Sequence, residues 1–411
     1  MNRLNHTLLL TAACLLALLS TVGASLPYPI LPPLFASGTA NGLNSFLGLP
    51  PKLLFGIALT VNPLGLLIGA TLLGPLSDRY GRRPLLLGTA FGAAVGHALT
   101  ALALVVESFP LFVLARFATG LLEGNGSICR ALVAEKFTGA ERTRGLSLVN
   151  GAFHLGWLVG PMLAGLTLGF GIVVPFAAAI AALVLAGLLA AIALPREAAS
   201  PETSSLWQVA RHRHALNLLR HAEPRTLFFI QLAGFCGVAA FYEFYPLWLV
   251  EQGDYDAARI ALINMAMCGI MTAASVVAGR MMGQCSGGES LRKAGWFAWG
   301  IALAVGCVAV GNLWMGLAAI ALFGIPNAFF NATVQPWAAE RFAGHGQGAV
   351  MGLMSTTFCL ATILMALVGS ALVLVDTRLV LAVGAASSLW AGWRLHGWRR
   401  ELAAPVLKGI H

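Results

Sequence analysis

Long apolar runs cut by short polar interruptions make up the whole chain. A helix that crosses a bilayer needs roughly 20 mostly apolar residues. Twelve runs meet that length, at residues 7–35, 51–76, 84–106, 110–135, 142–169, 171–194, 226–250, 256–283, 292–311, 313–339, 345–373 and 377–396. Two boundaries are thin: the fifth and sixth spans divide at Gly169-Phe170-Gly171, and the ninth and tenth at Gly311-Asn312. Both contain turn formers, and each joined run is far too long for a single crossing. The pattern predicts an all-α integral membrane protein with 12 transmembrane helices. The first run, Leu8 to Phe35, is too long for a signal-peptide core and is followed by many similar runs, so it is read as a span.

The long polar stretch from Pro195 to Arg225 sets the domain boundaries. Residues 1–194 form a predicted N-terminal six-helix bundle, 195–225 a linker, and 226–411 a C-terminal six-helix bundle. Near-equal halves of six helices are what a duplicated transporter shows, with a central cavity between them. In the linker, Ser204 or Ser205 can cap an amphipathic helix carrying Leu206, Val209, Leu216 and Leu219, with Arg211, Arg213 and Arg220 interspersed. A plain basic linker is the other reading.

Composition sharpens this picture. The chain is 58% hydrophobic and 10% charged, against about 25% charged in soluble domains. Its net charge of +9 is explained by placement. With the N-terminus inside, 21 of the 25 Lys and Arg fall on inner segments and helix ends, three on outer loops, and Arg116 is left within a span. That asymmetry fits the positive-inside rule, puts both termini on the cytoplasmic side and disfavours nucleic acid as a partner, while the compact loops point to a cell inner membrane. The seven cysteines are scattered singly, with no metal-ligand spacing. Motifs for nucleotide-driven, metallopeptidase or serine-hydrolase chemistry do not occur, so no enzyme, metal or cofactor is expected.

Four polar features stand out against the apolar background. Asp78, Arg79, Arg82 and Arg83 crowd between the second and third spans, where such charge density predicts an inner loop. Asp78 gains nothing from the orientation rule. It either pairs with the start of the eleventh span or with Arg130, or it is an incidental acid in a solvated turn. In the fourth span, Arg116, Glu123, Ser127 and Arg130 share one helix face. Arg116 and Glu123 lie about 10 Å apart along the axis, so each is expected to meet water, substrate or another helix. Glu123 is either a proton carrier or a structural polar tie.

Glu243 lies among Phe241, Tyr242, Phe244 and Tyr245 in the seventh span. It reads as a second protonation or cation-binding site, or as an interfacial acid in an aromatic belt. Asn327, Asn331 and Gln335 form a four-residue polar stripe in the tenth span, expected to line the cavity. His97 and His154 are also intramembrane. His154 is a cavity candidate, although a satisfied structural histidine is the commoner case for both.

Several of these stretches carry a family resemblance. Gly74-Pro75-Leu76-Ser77-Asp78-Arg79-Tyr80-Gly81-Arg82-Arg83 closely resembles the loop 2–3 signature of the major facilitator superfamily. The corresponding stretch of the second half has Gly283 where the acid would stand, so gating is assigned to Asp78, Arg79, Arg82, Arg83 and Arg130 of the first half. Arg116 and Gly120 look like the superfamily's R-x-x-x-G element. Gly156, Gly160, Pro161 and Gly165 resemble an element associated with its proton-coupled exporters, with Ala164 and Ser147 as departures. Those small residues allow close helix contact and Pro161 removes a hydrogen bond. Pro27-Tyr28-Pro29-Ile30-Leu31-Pro32-Pro33 resembles the proline-rich end of the first helix in drug/proton antiporters, although the first span has no acid.

The resemblance implies the major facilitator fold and proton-coupled export of a small amphipathic compound by alternating access, acting as a monomer without a cofactor. Export of one metabolite or metal chelator, nutrient uptake, and a non-transporting membrane sensor are the alternatives. The sensor is disfavoured because no large soluble domain is visible.

Overall fold

A computed structural model describes residues 3–36, 40–195, 215–282, 288–342, 344 and 347–408. Its described residues form helices and connecting turns, with no strand among them. The helices fall into two compact units, Met1–His214 with Asp256–Ala261 and Ala215–Tyr255 with Leu262–His411.

The first unit contains α1 (Arg3–Ser25), α2 (Leu31–Ala36), α3 (Pro51–Tyr80), α4 (Arg82–Val105), α5 (Phe109–Glu123), α6 (Gly126–Lys136), α7 (Gly139–Thr167) and α8 (Val174–Ala193). Leu9, Leu16, Leu86, Leu132, Val149 and Leu183 meet in its core. The outer faces are apolar as well: Leu185 is 67% exposed and Ile192 81% exposed on α8. Helices that are apolar inside and out have hydrocarbon as their solvent, and the protein is a multi-pass membrane protein.

The second unit contains α9 (Ala222–Gly253), α10 (Ala257–Met282, from Leu262 onward), α11 (Gly288–Val310), α12 (Leu313–Arg341), α13 (Gln347–Val373) and α14 (Thr377–Lys408). Its α9 packs against α13 and α14, and α11 against α12 and α14.

Among the described residues, ten helical segments are long and apolar enough to cross a bilayer. The other two predicted spans coincide with α5–α6 and α14. The first is interrupted by a turn at Gly124-Asn125, where an added Cβ on Gly124 would lie 2.4 Å from the Ala70 backbone nitrogen of α3. In α14, Arg378, Ser387, Ser388, Arg394 and His396 dilute the apolar character of a 32-residue helix.

Three further expectations are refined. The predicted inner loop at residues 74–83 is helical as far as Tyr80, and Gly81 alone, at φ 92°, separates α3 from α4. Polar residues at a membrane face can stay helical because water solvates their side chains, so charge density did not demand a loop. The first run does not continue as one helix: α1 ends at Ser25, before Pro27 and Pro29. The amphipathic linker helix falls mostly outside the described residues; Ala215–Arg220 forms a 3-10 turn whose Leu218 packs on Phe228 and Leu353. Both thin boundaries are real turns. Gly171 adopts φ 123° after α7, and the Asn312 side chain caps α12 by accepting from the Met315 backbone N–H at 2.9 Å.

Candidate functional site

A buried polar network forms where α1, α3, α4 and α5 meet in the first unit. Its first member depends on how α1 ends. The last carbonyls of a helix lack partners within it, and Pro27 has no N–H to offer the carbonyl of Gly23 four residues back. Arg116 fills the gap: its Nη1 donates to the Gly23 carbonyl at 3.1 Å and its Nη2 to the Ala24 carbonyl at 2.9 Å. A cation at the negative end of a helix is electrostatically favourable. This explains how an arginine only 4% exposed is tolerated inside an apolar bundle.

Gly120, one turn beyond Arg116, brings α5 onto α3. A Cβ there would lie 2.3 Å from the Asn62 carbonyl oxygen. The close approach lets Asn62 Nδ2 donate to the Arg116 carbonyl at 3.3 Å and to Glu123 Oε2 at 3.0 Å. The other carboxylate oxygen, Oε1, lies 3.1 Å from His97 Nε2 on α4. Both side chains are buried, and the His97 ring lies 6.4 Å from that of Phe176 on α8. Gly23 closes the pair from above: a Cβ would stand 2.2 Å from both Glu123 Oε1 and His97 Nε2. Arg116 and Asn62 also line a crevice with Tyr28, Ala24, Leu31 and Leu59. The network therefore couples a buried acid and histidine to polar groups at a cleft.

The structure brings Arg116 and Glu123 into one network, each tied to other helices as their spacing implied. His97, Asn62 and Gly23 were not singled out as site residues. Their partners lie 26, 61 and 93 residues away, beyond the reach of local patterns, although an intramembrane histidine was a usable signal. His154 is helical, but its side chain lies outside the described residues.

The α7 element packs on α1. An added Cβ on Gly156 would lie 1.9 Å from Thr21 Oγ1, and one on Gly160 would lie 2.1 Å from Ser25 Oγ. Those hydroxyls donate across the seam, Thr21 to the Phe153 carbonyl at 2.9 Å and Ser25 to that of Gly156 at 3.3 Å. Pro161 is buried, Gly165 is half-buried, and α7 passes through both.

The charged stretch behaves differently. Arg82 is buried, donating to Ser77 and pairing with Glu135 on α6 through Nη2 at 2.5 Å and Nε at 3.4 Å. Arg83 donates to the Ala191 carbonyl near the C-terminal end of α8 at 2.6 Å. Arg79 is exposed, with its guanidinium 5.4 Å from the Tyr80 ring centre. Arg130 lies 5.4 Å from the ring of Phe153 on α7. The side chain of Asp78 lies outside the described residues, and so does its expected pairing. Glu135 was not anticipated, because an acid beside Lys136 at a helix end reads as an ordinary surface residue.

In the second unit, Glu243 is 2% exposed, and neither carboxylate oxygen has a hydrogen-bond partner among the described residues. Its side chain is thus shielded from solvent. Around the same stretch of α9, Phe241 stacks on Phe323 at 3.7 Å, and the Tyr245 hydroxyl donates to Asn264 Oδ1 at 2.9 Å. The α12 stripe is a relay of side-chain amides: Gln335 donates to Asn331 Oδ1 at 3.3 Å, and Asn331 to Asn327 Oδ1 at 3.1 Å. Among the described residues, no group of three or more His, Cys, Asp or Glu side chains can hold a metal ion.

Comparison with known proteins adds a family. The model described as Major Facilitator Superfamily matches residues 13–290. A class C tetracycline resistance protein from Escherichia coli is 28% identical over 274 residues, 62% of this chain and 62% of the relative. A class H tetracycline resistance protein from Pasteurella multocida is 30% identical over 153 residues, 37% of this chain and 36% of the relative. The chain thus matches about one third to under two thirds of the length of these curated relatives. Among solved structures, the human organic anion transporter MFSD10 superposes with a TM-score of 0.69 at 19% identity, covering 95% of this chain and 99% of the other. At that identity the likeness speaks for the fold alone.

Proposed function

Because this chain belongs to the Major Facilitator Superfamily of transporters, we propose that it is a proton-coupled antiporter that exports a small amphipathic compound by alternating access. The observation that carries this reading is the buried Glu123, held by His97 and Asn62 and linked through Asn62 to Arg116 at a crevice. A carboxylate inside a membrane bundle changes charge at large energetic consequence, which a transporter can use to bias a two-state equilibrium. Proton and substrate must then compete for, or oppositely bias, that element. The glycine seam between α1 and α7 and the relatives named for tetracycline resistance support export over uptake.

Within this reading Glu123 and Glu243 are the candidate proton sites, and Arg116, Asn327, Asn331 and His154 the cavity candidates. The charged group of Asp78, Arg79, Arg82, Arg83 and Arg130 gates the inner side. The protein works as a monomer in a cell inner membrane with both termini cytoplasmic, draws on the proton gradient, and needs no cofactor.

The test is accumulation of a compound panel, tetracycline included, in everted vesicles energised so that the lumen is acidic and protons leave as substrate enters. Uptake that collapses with a protonophore is expected for at least one amphipathic compound. Gradient-independent movement of every transported compound would reject the antiport.

A further inference from the structure

His97 is fully buried. Its Nε2 faces Glu123 Oε1 at 3.1 Å, while its Nδ1 is buried without a hydrogen-bond partner among the described residues. Glu123 already accepts from Asn62 at its other oxygen, so the arrangement is satisfied by a neutral imidazole donating Nε2–H to a carboxylate. That tautomer leaves a bare lone pair on Nδ1. The usual structural histidine instead anchors Nδ1–H on a carbonyl or carboxylate; here the ring is held at the opposite nitrogen.

We propose that the coupling proton of the first unit is taken up at His97 Nδ1, with Glu123 acting through its hydrogen bond as part of one two-residue proton site. This rests on the proton-coupled reading above and assigns the atom that loads. One proton from water adds to the Nδ1 lone pair, and no covalent bond breaks. The product is an imidazolium facing a carboxylate. If the proton between Nε2 and Oε1 shifts across, it becomes an Nδ1–H imidazole facing a carboxylic acid. Both descriptions contain the same atoms and place the extra hydrogen on Nδ1, so the loaded proton belongs to the pair and not to one residue alone.

The surroundings fix what loading does. Among the described residues, the charged or titratable groups near the pair are Arg116 of α5, which interacts electrostatically with Glu123, and Tyr28, which lines the adjoining crevice with Arg116. From the other elements α1 contributes Gly23 and its carbonyl, α3 the Asn62 amide and α8 the Phe176 ring, none of which titrates. Unloaded, the network holds the opposite charges of Arg116 and Glu123; loaded, it carries one net positive charge in a buried place. A cationic group in the crevice beside Arg116 and Asn62 is then disfavoured, which is the opposition between proton and substrate that exchange requires.

The experiment uses the purified full chain with ¹⁵N-labelled histidine, alongside His97→Gln and Glu123→Gln. The glutamine at 97 keeps an amide donor for Glu123 and has no basic nitrogen. The His97 resonance, identified by its absence from the H97Q spectrum, is expected to gain a proton on Nδ1 within the pH range over which the protein stays folded, and E123Q should alter that step. In proteoliposomes, H97Q should lose roughly tenfold or more of its gradient-driven rate and the pH dependence of substrate binding. A His97 resonance that does not titrate over this range overturns the proposal. So does an H97Q protein whose rate and pH profile match wild type while E123Q is inactive. The spectroscopic arm does not depend on transport: a titrating His97 in a protein without proton-driven flux would refute antiport and leave the proton site standing. If H97Q does not fold, His97→Asn and the titration of wild type decide the matter.

Discussion

Glu123 and His97, on neighbouring helices and 26 residues apart, meet at 3.1 Å with Gly23 of a third helix packed so closely that a methyl group would overlap both. The pair is therefore as much a packing element as an electrostatic one. Gly23→Ala must push one partner away, costing about 1–3 kcal/mol if the helices shift to make room. A lowered melting temperature in detergent and loss of gradient-driven transport are expected together. Full transport in the alanine variant would show that the pair can separate without consequence.

Arg116 tests the capping argument. Arg116→Lys keeps the charge but cannot present two parallel donors to the carbonyls of Gly23 and Ala24. Transport should fall while the protein still reaches the membrane. Pro27→Ala should have a milder effect in the same direction, because its new N–H competes for the Gly23 carbonyl. Substrate affinity measured on both variants checks the ordering.

The α1–α7 seam should resist any side chain. Gly160→Val places atoms where Ser25 Oγ and the Val22 carbonyl already stand, so loss of folded protein or of turnover is expected. Ser25→Ala removes only a 3.3 Å hydrogen bond and should cost less than about 1 kcal/mol. Comparing the two by thermal unfolding separates close packing from hydrogen bonding.

At the end where α3 meets α4, Arg82 and Glu135 form an ion pair with Glu135 about half exposed. Such pairs contribute modestly, so a double-mutant cycle with Arg82→Gln and Glu135→Gln should give a coupling of about 0.2–1 kcal/mol. Turnover should fall more than substrate binding in both single variants, as it should in Asp78→Asn. Equal losses in binding would remove these residues from the gate.

Glu243 offers the opposite signature. A buried carboxyl group without hydrogen-bond partners among the described residues is destabilising unless it is needed. Glu243→Leu is expected to raise the melting temperature while impairing transport. A variant that gains stability and transports normally would show that this acid has no part in the cycle.

The order of apolar runs by itself determined that the chain is a helical membrane protein, where most spans lie and which residues break the hydrophobic background. Arg116, Glu123, Glu243 and the amide stripe stood out because hydrocarbon penalises every such group. Bilayer solvation is a local property, readable one span at a time. Which of those groups meet was decided by tertiary structure alone. Helices that are apolar on all sides carry little pattern to tell an inner face from an outer one, so nothing local marked His97 as the partner of Glu123. Asn62 reaches both Arg116 and Glu123 only because glycine lets α3 and α5 approach. Gly23 and Pro27 gain their meaning from an arginine about ninety residues away. The charged stretch shows the same division: its place at a helix junction was legible, whereas its helical form and the Arg82–Glu135 pair depended on which helix end lay alongside.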